Sequence, residues 1–322
     1  MKKRIFVILI CYLLLIICIM GAIAILNDEE PSNSNKIQII ATLFPNYDFV
    51  KQIGGDKVEV TLLLNAGVDS HNYEPSVRDM KNISDSDIFI YTGFTSEPWA
   101  EEIIDSLENS NCKIVDSSKN IELIESEEFA ESYNAIGSSS HEHSNDLEHY
   151  EYDGHIWLDP QNAIKMIDNI CDALCEYDES NSEYYRENAE NYKNEIQELD
   201  LEIEEAMNNL DSNVLVFGGE FAYSYFIKRY DLEYVSVYSS CGEEAEPSVQ
   251  EVRSVIDYIN ENDVKKVYYE ELSEGTVAKM ISEETEAEAI VFYTLHNVST
   301  GEIEAGENYV SIMRKNLENI TK

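Results

Sequence analysis

Apolar residues recur along this chain in two alternating rhythms. Short runs rich in Val, Ile and Leu, at Lys36–Ala41, Val58–Leu63, Ile88–Tyr91 and Lys113–Val115, read as strands. Between them Asn46–Ile53 and Glu97–Leu107 carry helical spacing. Residues 119–153 break the rhythm: they are polar and acidic, include Ser138–Ser140 and three histidines, and predict a long mobile surface loop. Asp159-Pro160 is a helix start signal, and 161–176 read as helix. Ser182–Leu210 has no Gly or Pro. Its apolar positions Tyr185, Ala189, Tyr192, Ile196, Leu199, Ile203 and Met207 are spaced by three and four, which predicts one long amphipathic helix. The alternation then restarts, with strands at Val214–Phe217, Tyr234–Val237, Val264–Tyr269 and Ala289–Phe292. Helices follow at Phe221–Arg229, Ser248–Glu261, Gly275–Glu284 and Glu307–Ile320. The predicted class is α/β: two (βα)-type lobes with mostly parallel sheets, joined by one long helix. The boundaries are 36–180 for the first lobe, 181–211 for the connecting helix and 212–322 for the second lobe. A helical linker is stiff, so closure between the lobes is expected to be small.

Residues 1–35 read as a membrane anchor and linker. Ile5–Leu26 is apolar and uncharged, about the 20 residues that a spanning helix needs. It exceeds the roughly 7–15-residue core of a cleaved signal. Lys2, Lys3 and Arg4 precede it and Asn27-Asp28-Glu29-Glu30 follow, which orients the N-terminus inward and the body outward. The expected location is the extracytoplasmic face of the cell membrane, with acylation at Cys18 as the alternative anchor. Cys112, Cys171, Cys175 and Cys241 form no C-x-x-C, which disfavours a thioredoxin-like site or a zinc knuckle. Cys171 and Cys175 lie one helical turn apart on the face of Ile167, Ile170 and Leu174 and read as buried thiols. Disulfides are permitted outside the cell but not required.

Charge narrows the partners. The 322 residues carry 22 Lys+Arg against 64 Asp+Glu, a formal −42, with 43% hydrophobic residues. Such a chain has no basic face for displacing phosphate counterions, so nucleic acid is excluded as a partner. Cations are the natural ligands of this field, although acidic surface also serves solubility. A monomer is expected.

The six histidines are His71, His141, His143, His149, His155 and His296. Three fall in the 119–153 loop. The other three sit at strand ends or helix starts, where ligands bind in open α/β sheets. Imidazole is the commonest protein ligand for zinc. Glu220, after Gly218-Gly219, is the candidate fourth ligand by position, the glycines allowing a sharp turn there. Its competing role is an acid at a helix start.

His71-Asn72-Tyr73-Glu74-Pro75-Ser76 and Gly154-His155-Ile156-Trp157-Leu158-Asp159-Pro160 resemble the first-lobe signatures of the zinc/manganese solute-binding proteins of ABC transporters. Glu220–Tyr230, Glu244-Ala245-Glu246-Pro247-Ser248 and Tyr309–Asn316 are similar to second-lobe segments of that family, and the resemblance spans about 36–322. It implies a metal site in a cleft between two lobes bridged by a long helix. His71 and His155 match the two first-lobe metal histidines. Glu220 falls where zinc-type members have His and manganese-type members have Glu, and His296 lies near the last ligand position, usually Asp. The histidine-bearing loop resembles zinc-type members. Three imidazoles and one carboxylate suit Zn²⁺, with Mn²⁺ second.

The expected function is capture of a divalent metal outside the cell and its delivery to an ABC permease. Four protein ligands leave no position for a catalytic water, so no enzyme is expected. Asp159 is expected either to orient His155 or to cap its helix. A surface adhesin on the same scaffold is the alternative. A secreted zinc hydrolase is disfavoured, since neither H-E-x-x-H nor G-x-S-x-G occurs.

Overall fold

The computed structural model describes residues 36–64, 68, 73–107, 110–126, 129, 152–238 and 247–322. Residues 37–322 form one compact unit. The expected anchor (1–35), Cys11, Cys18, His71, Cys241 and the histidines of the 119–153 loop lie outside the described residues. Among the described residues no helix is long and apolar enough to cross a membrane.

Two four-stranded parallel sheets carry the fold. In the first, β1 (Ile37–Ala41), β2 (Val58–Leu62), β3 (Ile88–Tyr91) and β4 (Lys113–Asp116) are ordered β2-β1-β3-β4. A two-stranded antiparallel ribbon follows, β5 (Ile124–Glu125) on β6 (Tyr152–Asp153). In the second sheet, β7 (Val214–Phe217), β8 (Glu233–Ser236), β9 (Lys266–Tyr269) and β10 (Glu288–Val291) are ordered β10-β9-β7-β8. The two orders are the same path, first strand inside, second to one edge, third and fourth to the other. All four residues of β3 are buried, as a strand covered on both faces requires. The ribbon was not foreseen: it pins both ends of the segment read as a free loop.

The first-lobe helices are α1 (Phe44–Gly54), α2 (Val77–Asp85) and α3 (Ala100–Ser106), followed by α4 (Pro160–Tyr177). The connecting helix, α5 (Ser182–Met207), buries all seven of its periodic apolar positions. After it come α6 (Ser224–Arg229), α7 (Val249–Asn262), α8 (Thr276–Glu284), α9 (Thr300–Ala305) and α10 (Tyr309–Thr321). Ser76 with Asp79 and Ser248 with Glu251 close capping boxes on α2 and α7. Asp159 caps α4, accepting from the Gln161 N–H at 2.8 Å. Cys171 and Cys175 are buried as expected, free, with sulfurs 4.0 Å apart.

Buried acids fasten the lobes to α5. Asp48 of α1 accepts from Tyr192 Oη at 2.6 Å and from the Tyr309 N–H at 3.0 Å, joining α1, α5 and α10. Asp200 of α5 accepts from Arg229 Nη2 at 2.5 Å, Tyr230 Oη at 3.0 Å and Gln161 Nε2 at 2.7 Å. A third acid, Glu97, is fully buried in the first lobe and accepts from the Thr92 N–H at 2.5 Å. Burial pushes its carboxyl up to about 7, against the hydrogen bond from the Thr92 N–H.

A pH dependence follows. Folded Glu97 holds its proton up to about pH 7, whereas the unfolded chain releases it near 4.5. Its contribution to stability is complete below pH 4.5 and is lost as pH rises through about 7. Urea unfolding of the metal-free protein at pH 5 and pH 8 should show that Glu97→Gln, which cannot titrate, shrinks the stability difference by about 2.5 kcal/mol.

Candidate metal centre

Two histidines from opposite lobes meet in the crevice. His155 follows β6 and leads into the tight turn Ile156–Leu158, and His296 follows β10. Their ring centroids are 4.4 Å apart at 77°. Both are buried, His155 5% and His296 8% exposed. Trp157 packs edge-on against both, at 5.6 Å from His155 and 5.3 Å from His296.

Each imidazole is oriented by an oxygen at Nδ1. His155 Nδ1 lies 2.6 Å from Asp153 Oδ1, which also accepts the His155 backbone N–H at 2.8 Å. Burial works to raise the Asp153 carboxyl, but the charge and hydrogen bonds of His155 and a bond from Ser224 outweigh it and hold the group below the usual range. An ionised carboxylate only accepts, so Nδ1 carries a proton, and it is the neutral form of the ring that offers its lone pair at Nε2. The orienting acid is therefore Asp153, while Asp159 caps α4 and pairs with Arg229 at 3.7 Å.

His296 is oriented through a relay. Its Nδ1 lies 2.9 Å from Thr294 Oγ1, and that hydroxyl donates to Glu271 Oε1 at 3.0 Å. With its proton so engaged, the hydroxyl oxygen accepts from Nδ1–H, again placing the lone pair on Nε2. Glu271 is partly buried, and desolvation pushes it up to about 7, while it accepts the Thr294 and Leu295 N–H groups at 2.7 and 3.0 Å. These bonds hold Leu295 at φ 60°, a left-handed conformation that a branched residue adopts only under constraint. Strain thus sits immediately before His296.

The lobes are stitched at the same place. Trp157 Nε1 donates to the Thr294 carbonyl at 2.8 Å, Tyr309 Oη to the Trp157 carbonyl at 2.7 Å, and the Phe44 N–H to the His296 carbonyl at 3.1 Å. Asn297 Nδ2 donates to the Val68 carbonyl at 3.1 Å, in the segment leading to His71.

Of the four expected ligands, the structure brings together His155 and His296. His71 lies outside the described residues. Glu220 is partly exposed, and its N–H donates to Glu270 Oε2 at 3.0 Å. Among the described residues no three His, Cys, Asp or Glu side chains are placed to hold one metal ion, so Glu220 does not join the imidazole pair as a third member there. Gly218-Gly219 serve close approach rather than a left-handed turn. A Cβ on Gly219 would lie 2.0 Å from Glu270 Oε2, and one on Gly218 2.8 Å from Ala278 Cα. Sequence reasoning missed Asp153, Thr294 and Glu271. Asp153, two residues before a strand-end histidine, carried the one signal that was available.

Two α/β lobes of identical strand order, bridged by one long helix and presenting imidazoles from both sides of a crevice, define a bilobal metal-binding class. The family model described as zinc-uptake complex component A, periplasmic (ZnuA), matches residues 39–322, and the chain belongs to that family. The zinc-binding lipoprotein AdcA of Streptococcus pneumoniae is 30% identical over 309 residues, 96% of this chain and 60% of the relative. The chain thus spans about 60% of the length of such relatives. The high-affinity zinc uptake system protein ZnuA of Bacillus subtilis is 31% identical over 313 residues, 97% of this chain and 94% of the relative. The crystal structure of the Zn(II)-bound ZnuA-like domain of S. pneumoniae AdcA superposes with a TM-score of 0.73 at 29% identity, covering 89% of this chain and 98% of that one.

Replacing Asp153 by Asn removes the anionic acceptor at His155 and frees the ring to flip. Zinc competition titration should show affinity about 10–100-fold weaker, the usual cost of losing an outer partner of a metal ligand.

Proposed function

We propose that this chain captures zinc in the crevice between its lobes, on the outer side of the membrane, and delivers it to an ABC permease. The observation that carries the reading is the pair His155–His296, 4.4 Å apart, drawn from opposite lobes, each ring fixed through Nδ1. A pair with fixed tautomers is pre-organised to present two Nε2 lone pairs to one ion. The proposed ligands are His71, His155 and His296, with Glu220 as the carboxylate. Three nitrogens and one oxygen favour Zn²⁺ over Mn²⁺, which prefers oxygen-rich sites. The relatives are named for zinc.

In this reading the ion is cargo, and a site closed by protein ligands suits holding and transfer rather than hydrolysis. The acid surplus raises the local concentration of cations. His141, His143 and His149 would take up zinc loosely and pass it inward. The Ile5–Leu26 run would tether the body to the membrane, as a spanning helix or through acylation at Cys18, since the AdcA relative is named a lipoprotein.

The test is elemental analysis and Zn/Mn competition on the detergent-solubilised full-length chain. One zinc equivalent is expected, with manganese weaker. His155→Ala and His296→Ala should each lose more affinity than the roughly 10–100-fold typical of an outer partner. Full zinc retention in the double variant would overturn the reading. Glu220→Ala is read separately: unchanged affinity removes that residue from the ligand set.

A further inference from the structure

Behind the imidazole pair lies a buried polar node that metal coordination does not use. Thr42, Asn46, Thr92 and Glu97, each at most 2% exposed, cluster beyond the carboxyl ends of β1 and β3. Thr92 is the hub. Its Oγ1 accepts from Asn46 Nδ2 at 2.8 Å, and its N–H donates to Glu97 Oε2 at 2.5 Å. The Thr42 side chain lies against the same carboxylate.

Two short connections run from this node to the two histidines. The first passes through the β3–α3 loop. The Glu97 N–H donates to the Gly93 carbonyl at 3.1 Å, closing the loop, and Ser96 Oγ donates to the Gly154 carbonyl at 2.6 Å. That approach is close enough that a Cβ on Gly154 would lie 2.8 Å from Ser96 Cα. His155 is the next residue. The second connection passes through the first turn of α1. Asn46 stands two residues after Phe44, whose N–H holds the His296 carbonyl at 3.1 Å. Sequence neighbours of the node therefore hold Gly154, next to His155 in its own lobe, and the carbonyl of His296 in the other lobe.

The node is also costly. Among the described residues Glu97 Oε1 and Asn46 Oδ1 have no hydrogen-bond partner, and such buried groups destabilise a core. Apolar side chains of similar volume commonly replace buried polar sets without loss of stability. Packing alone does not explain a carboxylic acid in this place.

We propose that the Asn46–Thr92–Glu97 node is a positioning element that fixes the separation of His155 and His296 across the crevice, acting through Ser96–Gly154 on one side and Phe44 on the other. The proposal rests on the zinc-binding reading above. None of these residues touches the ion. Their role is the geometry of the pair that does.

The test compares Glu97→Leu, Glu97→Gln and Ser96→Ala in the full-length chain. The readouts are zinc affinity by competition and the visible spectrum of the Co²⁺-loaded protein. Glu97→Leu and Ser96→Ala should bind zinc about 10-fold or more weakly, with altered Co²⁺ bands. Glu97→Gln keeps an acceptor for the Thr92 N–H and should stay within about twofold of wild type, with unchanged bands. Wild-type affinity and spectrum in a folded Glu97→Leu variant overturn the proposal, and so does a Gln variant as weak as Leu. Should Glu97→Leu not fold, Ser96→Ala decides alone, because it deletes one hydroxyl and leaves the node intact. A wild-type chain that takes up no zinc defeats the zinc-binding reading itself, and the proposal with it. Zinc uptake by the wild type with no loss in Ser96→Ala defeats the proposal alone.

Discussion

The proposed function depends on two buried imidazoles, from separate lobes, being held in van der Waals reach of one another. Neither lobe contributes enough by itself. The constraint is met by crossing bonds rather than by the ring contact. Trp157 gives its indole N–H to the carbonyl of Thr294, and the Thr294 hydroxyl orients His296. Phe44 holds the carbonyl of His296 from the opposite side. A ring–ring contact contributes about 1 kcal/mol beyond its area, whereas displacing these buried bonds would leave several donors unmet. The geometry of the pair is thus inherited from backbone hydrogen bonds across the crevice.

The acids divide into two groups by what they face. Asp48 and Asp200 lock both lobes onto the connecting helix, and each accepts from several buried donors. Asp153, Glu271 and Glu97 stand behind the histidines. Asp153 stays ionised because its imidazole partner outweighs burial, while burial wins at Glu271 and Glu97 and moves both towards neutrality. Carboxyl groups therefore supply a fixed anion at His155, in Asp153, and a near-neutral support at His296, in Glu271.

The strands and long helix were legible because their periods are clean. Val214–Phe217 falls where the pattern puts it, and the seven apolar positions of the connecting helix are all buried. Val77–Asp85 and Thr300–Ala305 went unread, since each is short and polar and announces itself mainly through a capping box. The β5–β6 ribbon is two residues per strand, too short for any period to show. At the site, His155 and His296 were legible because a histidine after a strand in an α/β chain is unusual in a core. Their supports were not. Thr294 and Glu271 follow different strands at the second sheet's carboxyl edge, and the pairing of β9 with β10 brings the two segments side by side. Nothing in the spacing of Glu97 pointed to a fully buried acid, because its burial is imposed by a loop closing over it.

Charge and coordination act at different distances, and this separates capture from discrimination. A formal −42 attracts any cation, hard or soft, and is screened beyond about 10 Å at ordinary salt. It cannot tell zinc from calcium or magnesium. Selection has to come from atoms that touch the ion, and in the proposed site the described ones are nitrogens of two buried imidazoles. Calcium and magnesium take oxygen ligands and gain little from such donors. In the proposed function the field sets how often a cation arrives, and the nitrogen pair sets which one stays. Excess acid outside the crevice then carries no penalty in specificity, provided the carboxylates near the pair are engaged by protein donors. Asp153 and Glu271 meet that condition, since the oxygens that would compete for a hard ion are already bonded to Nδ1, hydroxyl and backbone N–H groups.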